Sequence, residues 1–476
     1  MRKAAILLIA LLLILSVGLI LAQLLLAPYQ EQVIWQENTL YGDKSVVEGL
    51  TVQTRNSTDV GSLLWTTRSV LGQEMETQLV SARQGFPAAK EEYGGIILTV
   101  QEEFPITNME ASWLDEEVQA RFTKLTDFFQ NVHDTMPIST QQNYELDLRT
   151  YFTYYPLDGR FDLPGGETVL WSNVRENSED PGIYWKAFND YFKIPILGEY
   201  SLRVTYDKTS INAWNTSMEV QTSYRPAFSG VTTKDACYFT FDPVAADGSI
   251  ADCSQIPGGY GIYRFGYSLD KKGNAEADPE SLATVYSLDP TEQFYGLLLS
   301  ENEEQLLLLT IKEEKLYLTV IDLAEMTCLQ KLEMTALPAG GDLQVKMGTG
   351  CITLRVNQGA KENSLLVFEP QQDGTYRFAF ETELDSPGFS TAQTMLNDFY
   401  RDYAMAFNGE YLILAQNVAA KKGYICDFYL VAYDATGMVY AGEYQVNLSD
   451  INGDQEAMLC VPYAEEPIAI WWVPET

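Results

Sequence analysis

The chain has 476 residues, 46% hydrophobic and 20% charged, enough to bury a large core in one big repeat domain or in two to three ordinary ones. Its 66 acidic and 31 basic residues leave a net charge of −35, which repels a phosphate backbone and sets nucleic acid aside as a partner. The one histidine, His133, excludes zinc sites built on two or three histidines and would have to serve any Ser-His-Asp or Cys-His arrangement.

In chain order, Arg2 and Lys3 precede an uncharged apolar run from Ala4 to Ala27, ended by Pro28. A helix of that length crosses a hydrocarbon core of roughly 30 Å. Glu31, Glu37 and Asp43 follow before Lys44, so positive charge sits on the N-terminal side and predicts N-in, C-out topology. Residues 1–28 therefore read as a signal-anchor transmembrane helix, with a cleaved signal peptide as the competing reading. Either reading exports the body, and the expected location is the cell membrane, single-pass, with the body extracytoplasmic.

Residues 29–229 read as the β-rich first part of that body. Tyr41-Gly42-Asp43, Gly49–Val52 and Leu63–Thr67 look like opening strands, and Tyr151–Pro156 followed by Phe161–Pro164 like a strand pair. Between them, Trp113, Leu114, Val118, Phe122, Leu125, Phe129 and Val132 recur at three- and four-residue steps. That spacing predicts one amphipathic helix inserted near 109–133, with Ser112 and Asp115 as capping candidates and Pro137 past its end. His133 would then lie at the helix end, where the dipole favours it as a surface residue. Tyr200, Leu202, Val204 and Tyr206 alternate with polar residues as in a half-buried strand, and Met218–Tyr224 continues in the same style.

Residues 230–476 read as β repeats. Cys237 and Cys253 lie close enough in sequence for a disulfide across a short loop, or stand as two small buried hydrophobes. Gly258-Gly259-Tyr260-Gly261 begins like a dinucleotide fingerprint, but Arg264 occupies the place of the last glycine. Leu318–Asp322, Leu365–Glu369 and Tyr429–Asp434 each close on an acidic residue, a tight turn and a return strand. The spacing from Asp322 to Glu369 fits the roughly 40–50-residue blades of propellers, while the next needs an insertion. Gly348-Thr349-Gly350, Asp373-Gly374, Asn408-Gly409 and Thr436-Gly437 mark hairpin turns, and Asn408-Gly409 predicts a turn with positive φ at both residues. Asp450, Asn452 and Asp454 place alternate oxygen ligands in a loop suited to calcium, with an ordinary Asn-Gly turn as the other reading. No other cofactor is expected.

The three strand-turn-strand units resemble β-propeller repeats of the WD-repeat and quinoprotein-like kind. The anchor followed by this β-rich body resembles signal-anchored extracytoplasmic proteins of Gram-positive bacteria. These resemblances imply a mainly β fold: a β-propeller-like body with one inserted helix, behind a single N-terminal transmembrane helix. They imply no catalytic residue. The expected function is a non-enzymatic binding or interaction module for a protein or cell-envelope glycan. The alternatives are a carbohydrate-binding or acid-pair glycoside-hydrolase-like envelope protein, and a structural subunit of a membrane complex.

Overall fold

A computed structural model describes residues 16–18, 34–58, 63–81, 96–102, 104, 116–163, 168–171, 181–210, 214–245, 247–269, 275–337, 342–357, 363–384, 403–419, 426–446, 458–459 and 468–472. The described chain is mainly β and forms two compact units, residues 91–337 and residues 1–90 with 338–476. The expected boundary at 229/230 falls inside the strand Phe228–Thr232. That strand pairs along its whole length with Ala236–Phe241.

The unit 91–337 holds two four-stranded antiparallel meanders. One runs Phe228–Thr232, Ala236–Phe241, Gly261–Leu269, Ala275–Ser287, and the other Gln293–Leu299, Gln305–Lys312, Lys315–Asp322, Cys328–Ala336. Two three-stranded sheets precede them in the chain. Ile96–Val100 and Thr168–Trp171 flank Leu157–Asp162, and Thr140–Asp147 and Trp214–Thr222 flank Tyr200–Lys208. The alternation expected at Tyr200 is met in part: Tyr200, Leu202, Val204 and Tyr206 are buried and Arg203 is exposed, but Ser201 is buried as well and Thr205 is half-buried. Leu202 pairs with Val220 in register, so an apolar stripe crosses the strands.

Helix α1, Glu116–Thr135, carries the expected apolar face. Phe122, Leu125, Phe129 and Val132 are all buried, each worth about 1.5–3 kcal/mol in transfer terms. Trp113, Leu114, Ser112 and Asp115 lie outside the described residues. The helix stops where Met136 N donates to Val132 O at 2.9 Å, and Pro137 follows. Lys208 Nζ donates to the carbonyls of His133 at 2.5 Å and Met136 at 3.0 Å, satisfying orphan acceptors at that end.

A second helix, α2, spans Pro181–Tyr191 and has no counterpart in the sequence reading. Pro181 fits its first position, since the missing N–H is an orphan there anyway. Trp185, Phe188 and Asn189 sit at three- and four-residue steps and are all buried. Phe188 and Phe192 pack against Phe239 in an aromatic core that also includes Tyr263 and Phe265.

The unit formed by 1–90 and 338–476 contains one four-stranded meander, Asp342–Gly348, Cys351–Asn357, Asn363–Pro370, Tyr376–Glu383. A second meander, Ala404–Phe407, Leu412–Ala419, Cys426–Asp434, Gly437–Val446, takes Trp35–Gly42 as a fifth strand on its outer edge. In the third sheet Leu50–Thr58 pairs with Leu63–Val70 on one side and with Met458–Leu459 and Ile468–Trp472 on the other, and Met75–Ser81 completes it. Each end of the chain thus supplies a strand to a sheet built mainly from the other end. Tyr41-Gly42 therefore does not open the sheet that Leu50 and Leu63 build.

The three acidic repeat positions mark one topological place. Asp322, Glu369 and Asp434 all lie at the end of the third strand of a four-stranded meander, before the hairpin to the fourth. Asp322 Oδ1 accepts from Ala324 N and Glu325 N, and Asp434 Oδ1 from Thr436 N and Oγ1, which closes the turns locally. Asn408-Gly409 also turns a hairpin, but with a different geometry. Phe407 pairs with Leu412, so four residues intervene, and Gly409 alone of the two has positive φ, 94°. Asn408 instead accepts from Glu410 N and Tyr411 N through Oδ1.

Of the apolar run 4–27, Ser16, Val17 and Gly18 are described and helical. Among the described residues no helix is long and apolar enough to cross a membrane.

Candidate functional site

A cavity of about 330 Å³ lies between α1, α2 and the segment Tyr151–Pro156. The segment was expected to be a strand. It follows the 3-10 turn Leu148–Thr150 and runs as an irregular stretch into the strand Leu157–Asp162, held by Tyr155 N to Ile194 O and Ile196 N to Thr153 O. Tyr154 and Pro195 form one isolated antiparallel bridge, and continuous pairing starts only at Leu157. The aromatic run reads like a strand by composition, yet its side chains line a cavity.

Each helix contributes one face. Ala120 and Lys124 are four apart on α1 and Trp185 and Asn189 four apart on α2, so each pair projects on one side of its helix. Tyr151, Phe152 and Tyr154 are half-buried. Phe152 rests edge-on against Phe122 at 5.7 Å, and Phe122 packs on Trp185 at 5.3 Å, so the wall continues into the core. Tyr154 Oη donates to Gln255 Oε1 at 2.7 Å, which fixes its ring.

Two polar side chains of the wall are already satisfied by backbone. Tyr155 Oη donates to Leu197 O at 2.7 Å and accepts from Leu197 N at 3.0 Å. Burial raises its pKa above the ordinary phenol value. Asn189 exchanges hydrogen bonds with the backbone of Leu157. Trp185 is buried and its Nε1 has no hydrogen-bond partner among the described residues.

The charges of the wall are positive. Arg121 lies over the Trp185 ring at 5.7 Å and pairs with Asp190 at 2.5 Å. Asp190 also takes Lys186 at 3.1 Å. Burial acts to raise the Asp190 carboxyl, but the hydrogen bonds and charges of Arg121 and Lys186 together outweigh it and hold the group below its usual value. Lys124 is exposed and makes no ion pair among the described residues. Among the described lining residues none is a carboxylate. The cavity therefore offers aromatic faces and a positive charge.

The residues singled out from sequence lie elsewhere. Cys237 and Cys253 are free, buried thiols, so the bridge that their spacing allowed is not formed. Cys237 sits within a central strand among core aromatics, and burial pushes both thiols up to about 12. Asp450, Asn452 and Asp454 lie outside the described residues. Among the described residues no group of three or more His, Cys, Asp or Glu gathers around a common point. His133 stands half-buried at the end of α1, its Nδ1 3.1 Å from Asp134 Oδ1, and does not line the cavity. Gly258 and Gly259 form the turn into Gly261–Leu269, both at positive φ, while Tyr260 is buried and donates to Phe241 O at 2.9 Å.

No protein-family model and no curated protein matches the chain. Solved structures similar to it include a Lactobacillus plantarum protein at 8% identity, covering 89% of this chain and 98% of that one, with a TM-score of 0.26. The WD40 domain of SCAP from fission yeast is 7% identical over 81% of this chain and 70% of that one, TM-score 0.25. TolB from Acinetobacter baumannii is 8% identical over 89% and 82%, TM-score 0.20. At such scores these likenesses assign nothing to this chain. The propeller-like description rests on the repeated four-stranded meanders, each the construction of a propeller blade.

Proposed function

We propose that the chain is a non-enzymatic binding module, held at the membrane by its N-terminal apolar run with the β-rich body outside the cytoplasm. Its ligand site is the cavity between α1, α2 and Tyr151–Pro156. The observation that carries this reading is the composition of the cavity wall. Its rings offer stacking surfaces, Lys124 offers charge, and Asn189 and Tyr155 are committed to backbone. Such a wall recognises and orients a small molecule. The apolar run with Arg2 and Lys3 before it supports the placement.

Two measurements test the reading. Protease added to intact cells should degrade the body and leave the N-terminal segment protected; an intact body would contradict the placement. Crosslinking in those cells, followed by recovery of the full-length protein, should retain a component, chemically unchanged, that Tyr151→Ala loses. A retained component of altered mass would contradict the non-enzymatic reading.

A further inference from the structure

We infer that the ligand of this cavity is an acidic sugar, a pyranose carrying a carboxylate; this rests on the cavity being the binding site. Two observations converge on that class.

The first is the local reversal of charge. The chain carries 66 acidic residues against 31 basic ones, yet the described wall holds Arg121 and Lys124 and no carboxylate. Arg121 shares its charge with Asp190, whereas Lys124 has no ion pair among the described residues. One unmatched cation suits one anionic group. The field of a chain at −35 opposes any anion, and opposes a doubly charged one more strongly. A single carboxylate therefore fits better than a phosphate.

The second is the kind of aromatic residue. Tyr151 and Tyr154 join a flat apolar face to a polar tip. A pyranose has the matching character, with C–H groups on its faces and hydroxyls around its edge. The volume agrees: about 330 Å³ is at the small end of ligand pockets and admits one or two sugar rings.

The test is a ligand-observed NMR titration of the full-length protein in detergent micelles. The probes are D-glucuronate, D-galacturonate and D-mannuronate, each beside its neutral parent sugar, with glucose 6-phosphate as the phosphate control. At least one uronate should bind about tenfold more tightly than its parent. Lys124→Gln should abolish that advantage, Lys124→Arg should keep most of it, and Tyr151→Ala should weaken acid and parent alike. Lys124 is exposed, so its variants fold. An advantage that survives Lys124→Gln, or tighter binding of glucose 6-phosphate than of any uronate, overturns the inference. Equal binding of acid and parent, both lost in Tyr151→Ala, overturns the acidic class while leaving the cavity a binding site. Absence of binding by any sugar also overturns it, and retention of a different component in the crosslinking experiment would then still uphold the binding module.

Discussion

The Asn189 side chain takes the place of a neighbouring strand for Leu157. Leu157 N donates to Asn189 Oδ1 at 2.8 Å, and Asn189 Nδ2 donates back to Leu157 O at 2.9 Å. A third bond, from Nδ2 to Trp185 O at 3.0 Å, ties the same amide to its own helix. One residue thus joins α2 to the end of the cavity segment. Asn189→Ala should destabilise the protein by about 2–4 kcal/mol, because it leaves buried backbone groups unpaired. Urea unfolding followed by circular dichroism reads this, and an unchanged midpoint would contradict it.

The N-terminal strand depends on one glycine. At Gly42 φ is +73°, and a Cβ there would stand 1.8 Å from Val439 O. Gly42→Ala therefore combines a left-handed backbone with a collision against a paired strand. It should cost at least about 1–3 kcal/mol and detach Trp35–Gly42 from Gly437–Val446. Faster hydrogen exchange at the amides of both strands is the expected readout.

Lys208 should matter for α1 more than an ordinary surface lysine does. Its Nζ donates to the carbonyls of His133 and Met136 from a largely buried position. Lys208→Met keeps the length of the side chain and removes the donors, and should cost about 1–3 kcal/mol with fraying of the last turn. Thermal unfolding checks the magnitude, and amide exchange at Val132–Met136 checks the place.

The thiols should separate by accessibility. Cys328 is exposed, while Cys237 and Cys253 are buried and pushed up to about 12. In the native protein at pH 8, Cys328 should react with a maleimide within minutes and the two buried thiols only on unfolding. The same shifts fix a sign for stability. Below pH about 8.5 folded and unfolded chains both keep these protons, so no difference arises. Between about 9 and about 12 the unfolded chain releases protons that the native state holds, and stability falls as pH rises. Tyr224 and Tyr263, raised well above the usual phenol value chiefly by burial, act in the same direction. A urea midpoint that stays level from pH 8 to 11 would contradict this.

What the sequence made legible is what is local. The face of α1 follows from the spacing of Phe122, Leu125, Phe129 and Val132, and the hairpin after Asp434 from an aspartate beside Thr436. The pairing of Trp35 with Val446 joins residues from opposite ends of the chain, and no local pattern announces it. The thiols of Cys237 and Cys253 were near enough in sequence to suggest a bridge, but each is buried in the core as a separate free group. The cavity was hidden for a related reason. Arg121 and Lys124 look like the solvated side of a helix, and Tyr151–Pro156 has the composition of a strand. Only the fold sets them beside Trp185 and Asn189. α2 escaped notice because it is short, begins Pro181-Gly182 and buries an asparagine on its apolar face.

Native mass spectrometry of the full-length protein, isolated from its own cells beside the Tyr151→Ala and Lys124→Gln variants, reads whether the cavity beside α1 holds a small ligand. One adduct of small-molecule mass is expected on the parent protein, released unchanged on denaturation and lost or depleted in both variants. A bare parent protein, or the same adduct at full occupancy in both variants, would contradict it.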